Sequence, residues 1–301
     1  MTRPHPMLIL TLLCFPGVPA LAQTQIGGGA CNSSSLNGTY SLTMTGRQIS
    51  SGNFSTVFQA NGSATFDGQN KVGFTMMANT SPGGVANPVS WSGTYSIQAN
   101  CAGVANITTG DSTTLNLAVY NQGKAFLVTG LDATYSYTGG GGNQPTGCLA
   151  SFLSGVYAFN GTGYTLSGTA VNGIGNATGL LQFDGQSGVT ANFTLSAAGQ
   201  TPSAITLTGT YSVSAACLGS ATLTDSKSNS YTLTISITNS NKVSTLDFDL
   251  LLAQASKWMI AGSGHAIYGQ PAANAAVTRP VDGLSAGRRS TPLIEAAHRG
   301  D

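Results

Sequence analysis

Strict alternation of apolar and polar residues marks the segment that decides the fold, from Tyr231 to Ile237, which reads YTLTISI. The segment from Leu246 to Leu250 has the same period of two and reads LDFDL. Alternate side chains of a β-strand lie on opposite faces, so each segment has one apolar face and one polar face. This pattern is typical of antiparallel sheets with one solvated side, whereas strands of buried parallel sheets are apolar throughout. We therefore predict an all-β protein.

The chain contains one unit used twice. The sequence LNGTYSL from Leu36 to Leu42 is answered by LSGVYAF from Leu153 to Phe159, 117 residues later. The sequence FDGQ at Phe66 returns at Phe183 with the same offset. A register shared by separate segments indicates an internal duplication. We predict two tandem antiparallel units, which span residues 31–138 and 148–269.

Each unit has room for about eight short strands, the usual number in a small closed up-and-down barrel. The turn sequences Asp67-Gly68 and Asp184-Gly185 recur between strands, as hairpins require. A β-sandwich is the alternative fold, because alternation does not distinguish a closed sheet from two stacked sheets.

Three segments outside the units differ in composition. Residues 1–22 combine an apolar run with Ala-Leu-Ala at the end, which predicts a signal peptide cleaved after Ala22. Residues 139–147 read GGGGNQPTG and predict a flexible linker. Residues 270–301 hold three prolines and seven charged residues, which predicts a disordered tail.

The cysteines repeat with the units. Four cysteines beyond the predicted signal peptide allow three pairings. We expect Cys31 to pair with Cys101 and Cys148 with Cys217, because this pairing keeps each bridge within one unit. The two loops are then nearly equal, 70 and 69 residues. Such bonds persist outside the cytoplasm, so we expect a secreted, periplasmic or cell-surface protein.

One repeated motif resembles a group of secreted bacterial proteins. Gly-x-Tyr-Ser is followed by a cysteine six residues after the tyrosine and is preceded by an Asp-Gly hairpin, from Gly93 to Cys101 and from Gly209 to Cys217. The resemblance implies small calycin-like barrels, similar in architecture to lipocalins. Tyr40 and Tyr157 stand where the lipocalin Gly-x-Trp signature has tryptophan, so the resemblance does not imply the ligand binding of lipocalins.

Charge is scarce, with 11 basic and 10 acidic residues in 301. A net charge of +1 without a basic cluster in the units argues against a nucleic-acid partner. Beyond residue 22 no stretch approaches the ~18 apolar residues of a membrane helix, so we expect no membrane span. The expected partner is a small apolar ligand or a surface polymer.

Few residues suit catalysis. Between residues 23 and 268 the chain has one histidine, His265, and no glutamate. Asp247 and Asp249 share one strand face and could form a carboxylate pair, but alternation places them on the solvated face. We interpret Asp67 and Asp184 as hairpin residues rather than calcium ligands. We predict no catalytic residue, no cofactor and no metal site.

Some aromatic residues are repeated in both units and others occur in one unit only. Tyr40, Tyr95, Tyr157 and Tyr211 recur at equivalent positions, which predicts packing in the core. Trp91 and Trp258 do not recur, since their expected counterparts are Leu207 and Phe126.

Taken together, these patterns predict a secreted, non-catalytic protein that binds a small apolar ligand inside a barrel or associates with the cell envelope. A structural or adhesive surface module is the alternative. A hydrolase that uses Asp247, Asp249 or His265 is the third hypothesis.

Overall fold

Two closed antiparallel barrels of eight strands each follow one another along the chain. The computed structural model describes residues 30–50, 53–80, 86–131, 135–167, 170–197, 201–239 and 246–267. The predicted all-β class and the up-and-down barrels are confirmed, and the sandwich alternative is wrong. The predicted signal peptide, its cleavage site after Ala22 and the tail 270–301 lie outside the described residues.

The first barrel joins its strands in chain order, and its last strand closes the sheet by pairing with the first, as in Thr43 with Gly140. A 3-10 helix, Ser33–Ser35, precedes it. Its strands are β1 Asn37–Ser50, β2 Asn53–Asp67, β3 Lys71–Thr80, β4 Ala86–Ile97, β5 Ala102–Thr109, β6 Thr113–Tyr120, β7 Ala125–Leu131 and β8 Tyr135–Gly142.

The second barrel repeats this topology after a 3-10 helix, Ala150–Phe152, and closes through pairs such as Gly161 with Gly262. Its strands are β9 Ser154–Ser167, β10 Ala170–Asp184, β11 Gly188–Ala197, β12 Ser203–Val213, β13 Leu218–Thr224, β14 Ser230–Asn239, β15 Leu246–Gln254 and β16 Trp258–Ala266.

The predicted linker 139–147 is corrected in its first half. Residues 139–142 belong to β8 and pair with β1 and β7. A Cβ atom at Gly141 would collide with the carbonyl oxygen of Ser41 in β1. The glycines therefore serve close approach of neighbouring strands rather than flexibility.

Aromatic rings pack inside both barrels in the same arrangement. Phe66 lies 5.6 Å from Tyr40, 5.0 Å from Tyr95 and 5.3 Å from Phe126 between ring centroids. In the second barrel, the ring of Phe183 is surrounded in the same way at 5.7 Å, 5.0 Å and 5.9 Å by those of Tyr157, Tyr211 and Phe248. The predicted core role of the repeated tyrosines is thus confirmed.

Strand register corrects one predicted equivalence. Phe248, and not Trp258, occupies the place in the second barrel that Phe126 holds in the first. Trp258 pairs with Thr165 in the second barrel, and Tyr135 pairs with Gln48 in the first. Gln48 and Thr165 are equivalent positions, 117 residues apart. Trp258 is therefore a core substitution for a tyrosine, packed on Phe193 and Tyr231.

The repeated tyrosine on β4 and β12 also fastens the 3-10 helix to the barrel end. The Tyr95 hydroxyl lies within 2.7 Å and 2.8 Å of the carbonyl oxygens of Ser33 and Leu36. The Tyr211 hydroxyl contacts the corresponding carbonyls of Ala150 and Leu153 at 2.8 Å and 2.9 Å. Burial raises the pKa of both phenols to about 12, so both remain donors at any physiological pH.

Two disulfides close the same end of each barrel. Cys31 is joined to Cys101, and Cys148 to Cys217, with Cα atoms 4.9 Å and 5.0 Å apart. In each barrel the bridge ties the segment before the first strand to the hairpin between the fourth and fifth strands. Each bond lies within its own unit, which is the pairing expected from the spacing.

Candidate functional site at the seam between the barrels

The two barrels meet along their outer faces, and we call this contact the seam. It joins the outward faces of β1 and β2 to those of β14, β15 and β16. An apolar cluster lies within it, formed by Val57 of the first barrel with Leu166, Ala253 and Met259 of the second. These side chains are at most 7 % exposed although they point away from both barrel interiors.

Polar contacts also join the two barrels across the seam. The Ser236 hydroxyl donates to the carbonyl oxygen of Gly62 at 2.6 Å. The Arg47 Nε donates to the Tyr164 hydroxyl at 3.1 Å, and its guanidinium carbon lies 5.3 Å from the centroid of that ring. This geometry adds a cation–π attraction between the barrels.

The second half of the predicted linker is also held in place. The buried Gln144 side chain donates to the Ser236 hydroxyl at 2.9 Å. The main-chain N–H of Asn239 donates to the Asn143 carbonyl oxygen at 2.9 Å, and their side-chain amides are bonded at 3.0 Å. The connector therefore packs against β14 and limits the orientations open to the two barrels.

The structure brings together two of the three residues that the sequence singled out for chemistry. The His265 Nδ1 lies 3.2 Å from an Asp247 carboxylate oxygen. The other carboxylate oxygen of Asp247 accepts from the main-chain N–H of Ala266 at 3.4 Å. The Ser263 hydroxyl lies 3.3 Å from His265 Nε2. These contacts align a hydroxyl, an imidazole and a carboxylate in the order that activates a nucleophile.

Sequence reasoning missed Ser263. It lies two residues before His265 on β16, so the period of two places both side chains on one outward face. Two further seam residues were missed, Ser236 and Gln59, whose Nε2 donates to the Thr162 carbonyl oxygen of the second barrel at 3.2 Å. Both are polar residues on strand faces that alternation assigns to solvent.

Asp249 occupies a different environment from Asp247. Its outward position agrees with the alternation, but the interpretation as a solvated edge is corrected, because Asp249 is partly buried and Ser41 and Thr43 of β1 lie next to its carboxyl group. Burial raises the pKa of Asp249 to about 6, although the Ser41 hydroxyl and the charge of His265 act in the opposite direction. Asp247, on the same strand, raises it further.

The repeated Asp-Gly residues form turns. The Asp67 carboxylate accepts from the main-chain N–H groups of Gln69 and Asn70 at 2.8 Å and of Lys71 at 2.9 Å. These N–H groups hold the pKa of Asp67 below its usual value, and Asp184 repeats the arrangement. Within the described ranges, no group of three His, Cys, Asp or Glu side chains is placed to hold a metal ion.

No known family matches this sequence, and no curated protein is significantly similar to it. The resemblance to secreted calycin-like proteins therefore stays a prediction from the repeated motif. In the part of the chain that the structure describes, no helix has the length and hydropathy to cross a membrane.

Proposed function

We propose that this protein is an exported, non-catalytic module that acts through its outer surface as a structural or adhesive component of the cell envelope. The packed hydrophobic cores inside the two barrels carry this proposal. An eight-stranded barrel is just wide enough to be filled by side chains or to hold one small ligand. Phe66 and Phe183, at most 2 % exposed, take up the interior with their ring neighbours. An apolar ligand inside a barrel, the version first expected, therefore has less support.

The outer strand faces suit a neutral polymer. Hydroxyl and amide side chains bond across neighbouring strands, as between Thr114 and Asn106 at 3.2 Å and between Thr206 and Asn192 at 2.9 Å. These exposed rows offer donors and acceptors without charge, which matches an uncharged polymer such as a polysaccharide. The two disulfides are compatible with function outside the cytoplasm.

Two measurements test this role. Native mass spectrometry of protein purified without refolding should show the mass of the disulfide-bonded chain alone, and a co-purifying lipid or pigment would contradict it. The protein should also sediment with purified envelope polysaccharide, and Asn106→Asp with Thr114→Glu should weaken that binding. An absence of sedimentation with any envelope fraction would refute the surface role.

A hydrolase is the second candidate, because Ser263, His265 and Asp247 form the hydrogen-bonded chain described above. Its test is the turnover of small activated esters by the wild-type protein. Activity that is lost in Ser263→Ala and His265→Ala but kept in Ser220→Ala, an exposed serine on β13, would establish it. Wild-type protein without turnover above the uncatalysed rate would exclude it for this substrate class.

A further inference from the structure

A cavity of about 90 Å³ lies in the seam. The first barrel contributes residues of β2, β3 and β4 to its wall, and the second contributes residues of β13 and β14. The residues that carry the argument are Asn61, Met77, Pro88, Leu218 and Thr234. At roughly 30 Å³ for each water, the volume equals that of about three waters.

Two polar atoms on this wall have no partner. Asn61 is 2 % exposed and its Nδ2 makes no hydrogen bond, and Thr234 is 9 % exposed and its Oγ1 makes none. A buried polar atom left unpaired is destabilising, and native proteins have few of them. The two strands that carry these residues belong to different barrels, so each barrel contributes to the cavity wall one residue with an unpaired atom.

The rest of the wall selects against charge. Met77, Pro88 and Leu218 present apolar surface, and none of the residues that line the cavity is charged. The cavity is partly open to solvent, and an ionised group that entered it would give up part of its hydration without gaining a counter-charge. Pockets with mostly apolar walls and a few convergent polar groups are typical small-molecule sites.

We propose that this cavity is a binding site for a small neutral amphipathic molecule. Its apolar part packs on Met77, Pro88 and Leu218, and its polar group pairs with the Asn61 amide and the Thr234 hydroxyl. If three waters filled the cavity instead, each would need several polar partners, whereas the residues of the wall leave only two side-chain atoms unpaired. The site does not depend on the surface role proposed above.

A matched pair of probes tests the site. Isobutyramide is neutral, and isobutyrate has the same shape with a negative charge. Titration of isobutyramide into the full-length protein, followed by NMR, should give saturable shifts of the Met77 and Thr234 methyl signals. Isobutyrate at the same concentrations should give none. Linear, unsaturated shifts, or equal shifts with both probes, would overturn the proposal.

Two isosteric variants test the polar contact. Thr234→Val keeps the shape of the side chain and removes the hydroxyl, so isobutyramide should bind about tenfold more weakly. Thr232→Val, an exposed position two residues earlier on the same face of β14, should leave the affinity unchanged. Equal affinities in both variants, or a crystal grown with isobutyramide that shows only waters in the cavity, would refute the site. Sedimentation with polysaccharide measures the surface role separately.

Discussion

The carboxyl group of Asp249 lies where the outer face of β15 meets β1, next to the hydroxyl-bearing residues Ser41 and Thr43. The positive charge of His265 favours the ionised form of this carboxyl group, and the negative charge of Asp247 opposes it. Loss of hydration is the largest effect, so the protonated form is favoured. The folded protein therefore holds a proton here at pH values where an unfolded chain has lost it.

The variant Asp249→Asn should be more stable than the wild type at pH 7.5, by about 2 kcal/mol. The pKa of Asp249 is raised to about 6 in the folded protein, against ~3.9 in an unfolded chain. Between these values the folded state binds more protons, so stability falls as pH rises from about 4 to 6 and stays low above it. Asparagine mimics the neutral form and removes this loss. Urea denaturation of both proteins at pH 4, 5, 6 and 7.5 measures this difference in stability.

Asp67→Asn is the control, because its effect on stability at pH 7.5 should have the opposite sign. Main-chain N–H groups lower the pKa of Asp67, so its stabilising effect is present above ~3.9 and is lost as pH falls through the lowered value. Asp67→Asn should thus destabilise the protein at pH 7.5. If Asp249→Asn is no more stable than the wild type at pH 7.5, that result would contradict the burial of the Asp249 carboxyl group.

The repeated tyrosine hydroxyls should contribute equally in the two barrels. Tyr95→Phe and Tyr211→Phe each leave two carbonyl oxygens of the adjoining segment without this donor, which should reduce stability by about 1 to 3 kcal/mol. Tyr120→Phe, at an exposed position, should have little effect. Urea denaturation of the three variants gives the comparison, and an unchanged midpoint for Tyr95→Phe would refute the role of its hydroxyl.

Strand β8 closes the first barrel with four consecutive glycines, residues 139–142. Strands β1 and β7 approach it on its two edges. At Gly139 a Cβ atom would meet the carbonyl oxygen of Thr43, and at Gly141 that of Ser41. Glycine in a strand interior usually weakens the strand, and here it is required for the approach of another backbone.

Gly141→Ala should therefore open the closure of the first barrel and destabilise it by about 3 kcal/mol. Gly142→Ala is the matched control, because its Cβ would meet only Thr238 at 3.8 Å, an ordinary contact. Thermal unfolding gives the two stabilities, and amide exchange in β1 and β8 should rise in Gly141→Ala alone. Similar stability of the two variants would refute close approach as the reason for the glycines.

At the scale of the whole molecule, the seam makes one body from two similar barrels. Met259 is fully buried on the outer face of β16, beside Val57 of the first barrel and Leu166 of the second. Neither barrel needs this contact to complete its own interior, because each has a separate core. The two barrels should therefore come apart before either unfolds.

Met259→Asp should separate the barrels, because a carboxylate placed among Val57, Leu166 and Ala253 would lose its hydration to apolar neighbours. Small-angle X-ray scattering should show a larger radius of gyration, while the near-UV circular dichroism of the packed aromatic rings is retained. Met259→Leu conserves volume and should keep the wild-type scattering profile. An unchanged radius in Met259→Asp, or loss of the aromatic signal, would contradict a seam that is independent of the two cores.

Much of the fold could be predicted from local patterns. Alternation from Tyr231 to Ile237 identified a strand with one buried face, and the shared register of Leu36 and Leu153 identified the duplication. The candidate site could be predicted only in part. His265, Asp247 and Asp249 were recognised as outward residues, yet nothing local shows that Ser41 and Thr43 of the other barrel lie next to Asp249.

Alternation and duplication by themselves determined the strands, their inward faces and the two units, because each depends on residues near in sequence or on an exact repeat. The tertiary structure alone decided that each sheet closes into a barrel, that the glycines 139–142 form a strand, and that parts of the outer faces of β1, β2, β14, β15 and β16 are buried where the barrels meet. A polar residue on an outward face has the same pattern whether water or another barrel covers it. Only the packing of one barrel on the other distinguishes the two, and the seam cavity lies there for that reason.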